Sequence, residues 1–236
     1  GKNVRYYVAG SFYNENGVFN TMEGDGYNPS LKWTKYNFRS NVDIDLHPST
    51  TLSIYLSNQF DIKKSPNSNS SHPWGGDLWQ VSFKTVAIAT PTVYSDGTLA
   101  CPVGADNPFN MLNNTGYMQN FNNNAQALVG LEHDFSNWIT PGLKANVKFS
   151  WDAYNYSWVN RYKNPTTWQA IGRDDEGNLM YDKPSFSGGN EYIKVSDGSG
   201  GNRTIYFEAS ATYERLFADK HRVSGLFLFN MREYND

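Results

Sequence analysis

The stretch KYNFRSNVDIDLHPSTTLSIYLSNQF, Lys35 to Phe60, decides the fold. In its first arm Tyr36, Phe38, Val42, Ile44 and Leu46 share one parity, with Ser40 among them. Asn37, Arg39, Asn41, Asp43, Asp45 and His47 share the other. The second arm repeats the rule, with Leu52, Ile54, Leu56 and Phe60 set against Ser53, Tyr55, Ser57 and Gln59. Alternate side chains of a β-strand point to opposite faces, so the stretch predicts a hairpin with one apolar and one wet face. A one-residue slip would carry Arg39, Asp43 and Asp45 to the apolar side and Tyr36, Phe38 and Ile44 to the wet side, so the pattern also specifies the register.

The same alternation marks further segments. About seven strands are expected: Lys2–Glu15, Lys35–His47, Thr51–Asp61, Asn122–Phe135, Gly142–Tyr156, Arg203–Phe217 and His221–Tyr234. In the fifth, Leu143, Ala145, Val147, Phe149 and Trp151 oppose Lys144, Asn146, Lys148, Ser150 and Asp152. In the sixth, Ile205, Phe207, Ala209 and Ala211 oppose Glu208, Ser210, Thr212 and Glu214. The last is less clean, because Leu226 and Leu228 share a parity with Arg222 and Asn230. Most exceed the usual length of soluble strands and suit a tilted strand crossing a bilayer.

The connections alternate as well. His47–Thr51, Phe135–Gly142 and Phe217–His221 are short, whereas Asn16–Thr34, Ile62–Phe121 and Ser157–Asn202 are long and rich in Gly, Asn and Pro. Short turns at one end and long loops at the other are the habit of an antiparallel transmembrane β-barrel wall, with short periplasmic turns and long extracellular loops. On this reading the apolar face meets lipid and the wet face meets a lumen. Phe135, Trp138 and Phe217 near the short turns, and Tyr13, Tyr36, Tyr156 and Trp158 near the long loops, are expected to form two interfacial girdles.

Composition narrows the partners. The chain has 236 residues, a net charge of −3 and 16% aromatics. The absence of a basic excess argues against nucleic acid. The single Cys101 excludes an internal disulfide framework and a cysteine-based zinc site. There is no apolar run long enough for a transmembrane helix, and no signal peptide is visible. Strand-like runs lie directly at Gly1 and Asp236, which reads as a piece of a longer protein.

Nothing predicts catalysis, a cofactor or a metal. His47, His72, His133 and His221 are scattered without ligand spacing. Asp43 and Asp45 share a face, yet wet-face carboxylates of a barrel wall commonly pair with Arg or Lys. The run DDEGN, Asp174–Asn178, lacks the ligand spacing of a calcium loop and predicts a hairpin turn within Ile171–Tyr181. YSDGTL, Tyr94–Leu99, predicts a second hairpin with an Asp-Gly turn. GGDLWQVSFKTVAIA, Gly75–Ala89, predicts a short helix ended by Pro91. GSGGN, Gly198–Asn202, reads as a flexible loop, and the Asn-x-Ser/Thr triplets at Asn69, Asn113 and Asn202 as chance matches. Trp33, Trp74, Trp79, Trp158 and Trp168, with Arg161 and Tyr162, fall in or beside the long loops. There they either stack on a ligand or anchor a partner, or pack the loops themselves.

Several stretches together carry a family likeness: RYYVAGSFYNENGVF (Arg5–Phe19), YNFRSNVDIDLHPSTTLSI (Tyr36–Ile54), NPFNMLNNTGY (Asn107–Tyr117), GRDDEGNLMY (Gly172–Tyr181) and the segment from Gly201 to Asp236. Through them the chain resembles the SusC/RagA family of TonB-dependent outer-membrane transporters of Bacteroidetes. The resemblance implies a bacterial outer-membrane location and a large barrel filled by a plug. It also implies import of oligosaccharides or peptides energised by TonB, and a SusD-like surface lipoprotein as lid. Residues 1–236 would supply part of the barrel, without the plug domain or TonB box. Arg39, Asp43, Asp45, Lys148, Asp152, Glu208 and Glu214 would face the lumen or plug. Trp74, Trp79, Trp158, Arg161 and Trp168 would face cargo or lid. No catalytic residue and no cofactor is implied. The rival readings are a passive porin-like barrel and a soluble carbohydrate-binding β-sandwich.

Overall fold

The protein is described by a computed structural model covering residues 3–22, 26–67, 78–86, 88, 91–101, 107–184 and 188–236. Its elements in chain order are β1 (Val4–Asn16), β2 (Lys32–His47), β3 (Thr50–Pro66), α1 (Leu78–Lys84), α2 (Pro108–Asn113), β4 (Gly116–Asp134), β5 (Leu143–Asn164), β6 (Gln169–Arg173), β7 (Leu179–Asp182), β8 (Asn190–Phe217) and β9 (His221–Asn235). The alternating segments pair into one 7-stranded sheet of order β1-β2-β3-β4-β5-β8-β9, every neighbour antiparallel. β6 and β7 form a separate hairpin. The sheet is open: among the described residues β1 and β9 each have one neighbour.

The register is the one the alternation predicts. Val42 faces Ile54, which faces Val129, which faces Phe149, which faces Phe207, which faces Met231. One face therefore collects most of the apolar residues of the strands, and the described residues place no second sheet on it. Tyr6 stays 75% exposed, Phe12 62%, Phe149 45% and Phe227 68%. Leu46, Leu56, Val129, Leu131, Val147, Trp151, Phe229 and Met231 lie exposed on the same face. Leu226 and Leu228 sit on the other face beside Asn230, as their parity requires.

Among the described residues the only cluster of buried apolar residues is small and lies among the long connections. Leu78 and Val81 of α1 pack on Met111 and Leu112 of α2, with Phe19 alongside. α1 forms where helical spacing predicts it but ends at Lys84, before Pro91. α2 comes from NPFNMLNNTGY. Asn107 caps it, its side-chain oxygen accepting from the Phe109 and Asn110 amides, and Pro108 occupies the first turn. The chain then turns into β4 at Gly116, with φ +97. The hydroxyl of Thr115 donates to the carbonyls of Met111 and Asn67, and the Gly116 amide donates to the Tyr27 hydroxyl. The Asn113 side chain accepts from the Met22 amide at 2.7 Å. α2 thus ties the first two long connections together.

The strands outrun their expected ends, always toward the long connections. β3 reaches Pro66, β4 starts at Gly116, β5 reaches Asn164 and β8 starts at Asn190. Past Asp61 and Tyr156 the two faces no longer differ in polarity, so alternation falls silent while backbone pairing continues. GSGGN is accordingly not a loop: Gly198–Asn202 lies within β8, paired with Tyr154–Trp158 of β5. The opposite ends are tight. At β8–β9, Ala218 and Asp219 both have positive φ, +50 and +54, and the Lys220 amide bonds the Phe217 carbonyl, a type I′ turn suited to a twisted hairpin.

Candidate functional site on the polar face

Parity fixes what the polar face displays. Arg39, Asp43 and Asp45 of β2, Lys148 and Asp152 of β5, and Glu208 and Glu214 of β8 all stand on it. Near the short turns its charges are cross-linked between strands. Arg5 grips Asp45 with two bonds, 2.5 and 3.0 Å, and Thr51 adds a third at 3.0 Å. Asp43 takes hydroxyls instead of a cation, Ser53 at 2.6 Å and Tyr55 at 3.1 Å. Lys148 bonds Glu208 at 3.2 Å, with Tyr206 on the second oxygen at 2.7 Å, and Arg222 pairs with Glu214. Arg39 and Asp152 share one cross-strand row, with Ser57 and Gln126 between them. Between the Asp43 and Lys148 groups lies a hollow of about 380 Å³ lined by Arg5, Asp43, Tyr55, Gly130, Glu132 and Lys148. Gly130 leaves it open, since the middle of the β4 edge, between Leu128 and Glu132, carries no side chain.

Toward the long connections the polar face becomes aromatic. The rings of Tyr13 and Trp33 meet edge to face with centroids 5.4 Å apart, and those of Tyr154 and Tyr156 lie 5.9 Å apart. Asp61 and Asn122 sit between the pairs. Asp61 accepts from the Trp33 indole at 3.3 Å and the Asn122 amide at 3.2 Å, and the Tyr154 hydroxyl donates to Asn122 at 3.1 Å. Trp158 and Tyr156 cover glycines of the neighbouring strand. A Cβ on Gly198 would stand 2.9 Å from three indole atoms of Trp158, and one on Gly200 2.7 Å from the Tyr156 hydroxyl. The glycines make room for the rings, and the rings give those stretches a packing partner. Gly198→Ala is therefore expected to lift the indole and cost about 1 kcal/mol, read as a shift in tryptophan emission that Gly225→Ala, in open space, does not produce.

This arrangement revises the loop-side girdle. Tyr13, Tyr156 and Trp158 belong to the polar face, and only Tyr36 belongs to the apolar one. There Phe12, Tyr36, Phe60 and Phe121 form a row across four strands, with successive centroids 5.2, 4.7 and 6.2 Å apart. At the short-turn end Phe135 and Trp138 cluster around His133, with centroids 4.3 and 4.9 Å from its ring, and Trp138 is 73% exposed.

The proposed cargo- or lid-facing residues do not form one cluster. Trp158 joins the polar-face aromatics. Arg161 lies on the opposite face, over the Tyr117 ring. Trp79, half exposed on α1, meets Phe19 and Phe83. Trp168 bridges to Ala100, its carbonyl accepting from the amide of buried Cys101. Trp74 lies outside the described residues. Tyr154, Asp61 and Asn122 were missed as site residues, although counting on by twos from Asp152 through Tyr154 to Trp158 puts the aromatics on the wet face.

Two predicted hairpins meet at Trp168. YSDGTL closes with the Tyr94 amide on the Thr98 carbonyl, and β6–β7 closes through DDEGN with the Asp174 amide on the Asn178 carbonyl. The Tyr181 hydroxyl donates to Asp96 at 2.6 Å, and the Tyr94 hydroxyl accepts from the Ala170 amide. Tyr181, then the Thr98 amide, hold the Asp96 carboxyl below its ordinary range, while desolvation, then Asp96, raises the Tyr181 phenol. A depressed carboxyl contributes stability above its unfolded value, about 3.9, and loses it as pH falls through the folded value. A raised phenol contributes below about 10 and loses it as pH rises. The contact is expected to hold between those limits and loosen outside them, reported by Trp168 emission, whose ring centroid is 6.5 Å from that of Tyr181. Asp96→Asn should abolish the acid arm.

No known family's sequence model matches this chain, and no curated protein is significantly similar to it. Among the described residues no helix is long and apolar enough to cross a membrane, which leaves strands untouched by that criterion.

Proposed function

We propose that this chain is part of the wall of an outer-membrane β-barrel that imports oligosaccharides or peptides, in the manner of the SusC/RagA transporters it resembles. The observation that carries the reading is the uncovered apolar face of an antiparallel meander whose tight turns all lie at one end. In water such a face demands a second layer; in a bilayer it needs none. The polar face then lines the lumen. Its cross-linked charges near the turns stiffen the wall or meet a plug, and its loop-side aromatics offer flat rings beside Asp61 and Asn122 for a polar cargo. TonB would act through the plug, and a SusD-like lipoprotein would close over the long connections. The role is transport, with no chemical step assigned to any residue.

The test uses the complete protein in its native cell. Deleting it should abolish growth on one glycan or peptide source and remove a protein found in the outer-membrane fraction. Deleting TonB should reproduce the growth defect. Uptake that persists without TonB would instead favour a passive porin, and recovery in the soluble fraction would favour a soluble binding module.

A further inference from the structure

Beyond the aromatic row on the apolar face, three cations stand together. Along β3 the outward residues run Phe60, Ile62, Lys64, and along β4 Phe121, Gln119, Tyr117. Lys32 is the cross-strand partner of Lys64, and Arg161 faces Tyr117. Lys64 Nζ lies 4.4 Å from the centroid of the Tyr117 ring, and the Arg161 guanidinium carbon 5.4 Å from the same centroid. Like charges set opposite each other in a sheet repel, and among the described residues none of the three makes an ion pair. Asp197 shares the face one strand further on, opposite Val159. The cluster calls for an anion from outside the chain.

Its height identifies the kind of anion. The outward residues Leu52 to Ile62 climb roughly 23 Å in a strand tilted by about 45°, which matches an apolar band about 25 Å tall. Lys64 is the next outward residue, beyond the aromatics that mark the headgroup level. Long cationic side chains rooted at the edge of an apolar band reach for headgroup oxygens, and a planar guanidinium beside an ammonium matches phosphate. From this charge complementarity, and resting on the membrane reading above, we propose that Lys32, Lys64 and Arg161 form a site for the phosphate of a lipid headgroup in the leaflet nearest the long connections.

The complete barrel is reconstituted in vesicles containing either a phosphate-bearing lipid or a phosphate-free lipid of the same acyl chains, and lipid retained through detergent extraction is measured. Insertion is checked separately by brominated acyl chains, whose quenching of tryptophan emission should fall in Trp151→Phe. The expected result is retention of the phosphate-bearing lipid, reduced about tenfold in Lys32→Gln/Lys64→Gln/Arg161→Gln with quenching unchanged, while Lys84→Gln retains it. Quenching without lipid preference, or a preference the triple variant keeps, overturns the site and leaves the membrane reading standing. Displacement of the lipid by millimolar inorganic phosphate overturns the headgroup assignment in favour of a free anion. No Trp151 quenching overturns both.

Discussion

Val129→Arg is expected to cost the complete barrel about 2–4 kcal/mol in a bilayer, whereas Leu128→Arg, one position away on β4, is expected to cost under about 1 kcal/mol. Val129 lies between Ile54 and Phe149 in the middle of the exposed apolar face. On the membrane reading a guanidinium there would have hydrocarbon on one side and the apolar side chains of Ile54 and Phe149 on the others. Leu128 lies between Tyr55 and Ser150 on the polar face, and borders the hollow that holds Asp43 and Glu132. A guanidinium there gains carboxylates and water. Urea unfolding of both variants in lipid vesicles measures the contrast. In water the difference would shrink, since Val129 is already 43% exposed. Greater damage from Leu128→Arg would mean that the faces are assigned backwards.

The second large effect is at Gly116. Its φ of +97 is one that side-chain-bearing residues rarely adopt, and a Cβ there would stand 2.0 Å from the Arg161 carbonyl oxygen, a rigid backbone atom. Ala costs about 1–2 kcal/mol for the conformation alone, and the contact forces β4 and β5 apart where they begin to pair. Gly116→Ala is therefore expected to lose at least about 2 kcal/mol. Because Thr115, Asn67 and Tyr27 bond around the same turn, the first two long connections should loosen with it. Hydrogen exchange of the Asn67, Gly116 and Lys163 amides checks this. Gly177→Ala, a positive-φ glycine in open space, should lose only the conformational part.

The parts of the fold written in alternating polarity could be read without coordinates. Tyr36–Leu46 against Asn37–Asp45 specifies both the strand and its register, because a bilayer or any apolar layer penalises the wrong face by several kcal/mol. The strand ends were not legible, because Lys63, Lys64, Asn160 and Lys194 give the two faces the same polarity. GSGGN misled for a specific reason. Glycine usually weakens a strand, but Gly198 and Gly200 are covered by Trp158 and Tyr156, which lie on the neighbouring strand, 40 and 44 residues earlier. The capped helix at Asn107–Asn113 carried its signals, Asn then Pro, yet at six residues it is too short for periodicity to reveal. The polar-face aromatics look like a lipid girdle to anyone who counts rings near strand ends, and only continued counting by twos separates them from Phe12, Tyr36, Phe60 and Phe121.

The central claim is that lipid covers the apolar face, and spin-label accessibility along β4 tests it most directly. In the complete protein, with Cys101→Ala as background, single cysteines from Phe121 to Glu132 are labelled and relaxed by oxygen, which concentrates in hydrocarbon, or by a water-soluble nickel chelate. Labels at 121, 123, 125, 127, 129 and 131 should favour oxygen, most strongly near the middle, while labels at the even positions should not. Equal shielding of the odd positions from both relaxants would place a protein layer over that face and contradict the account.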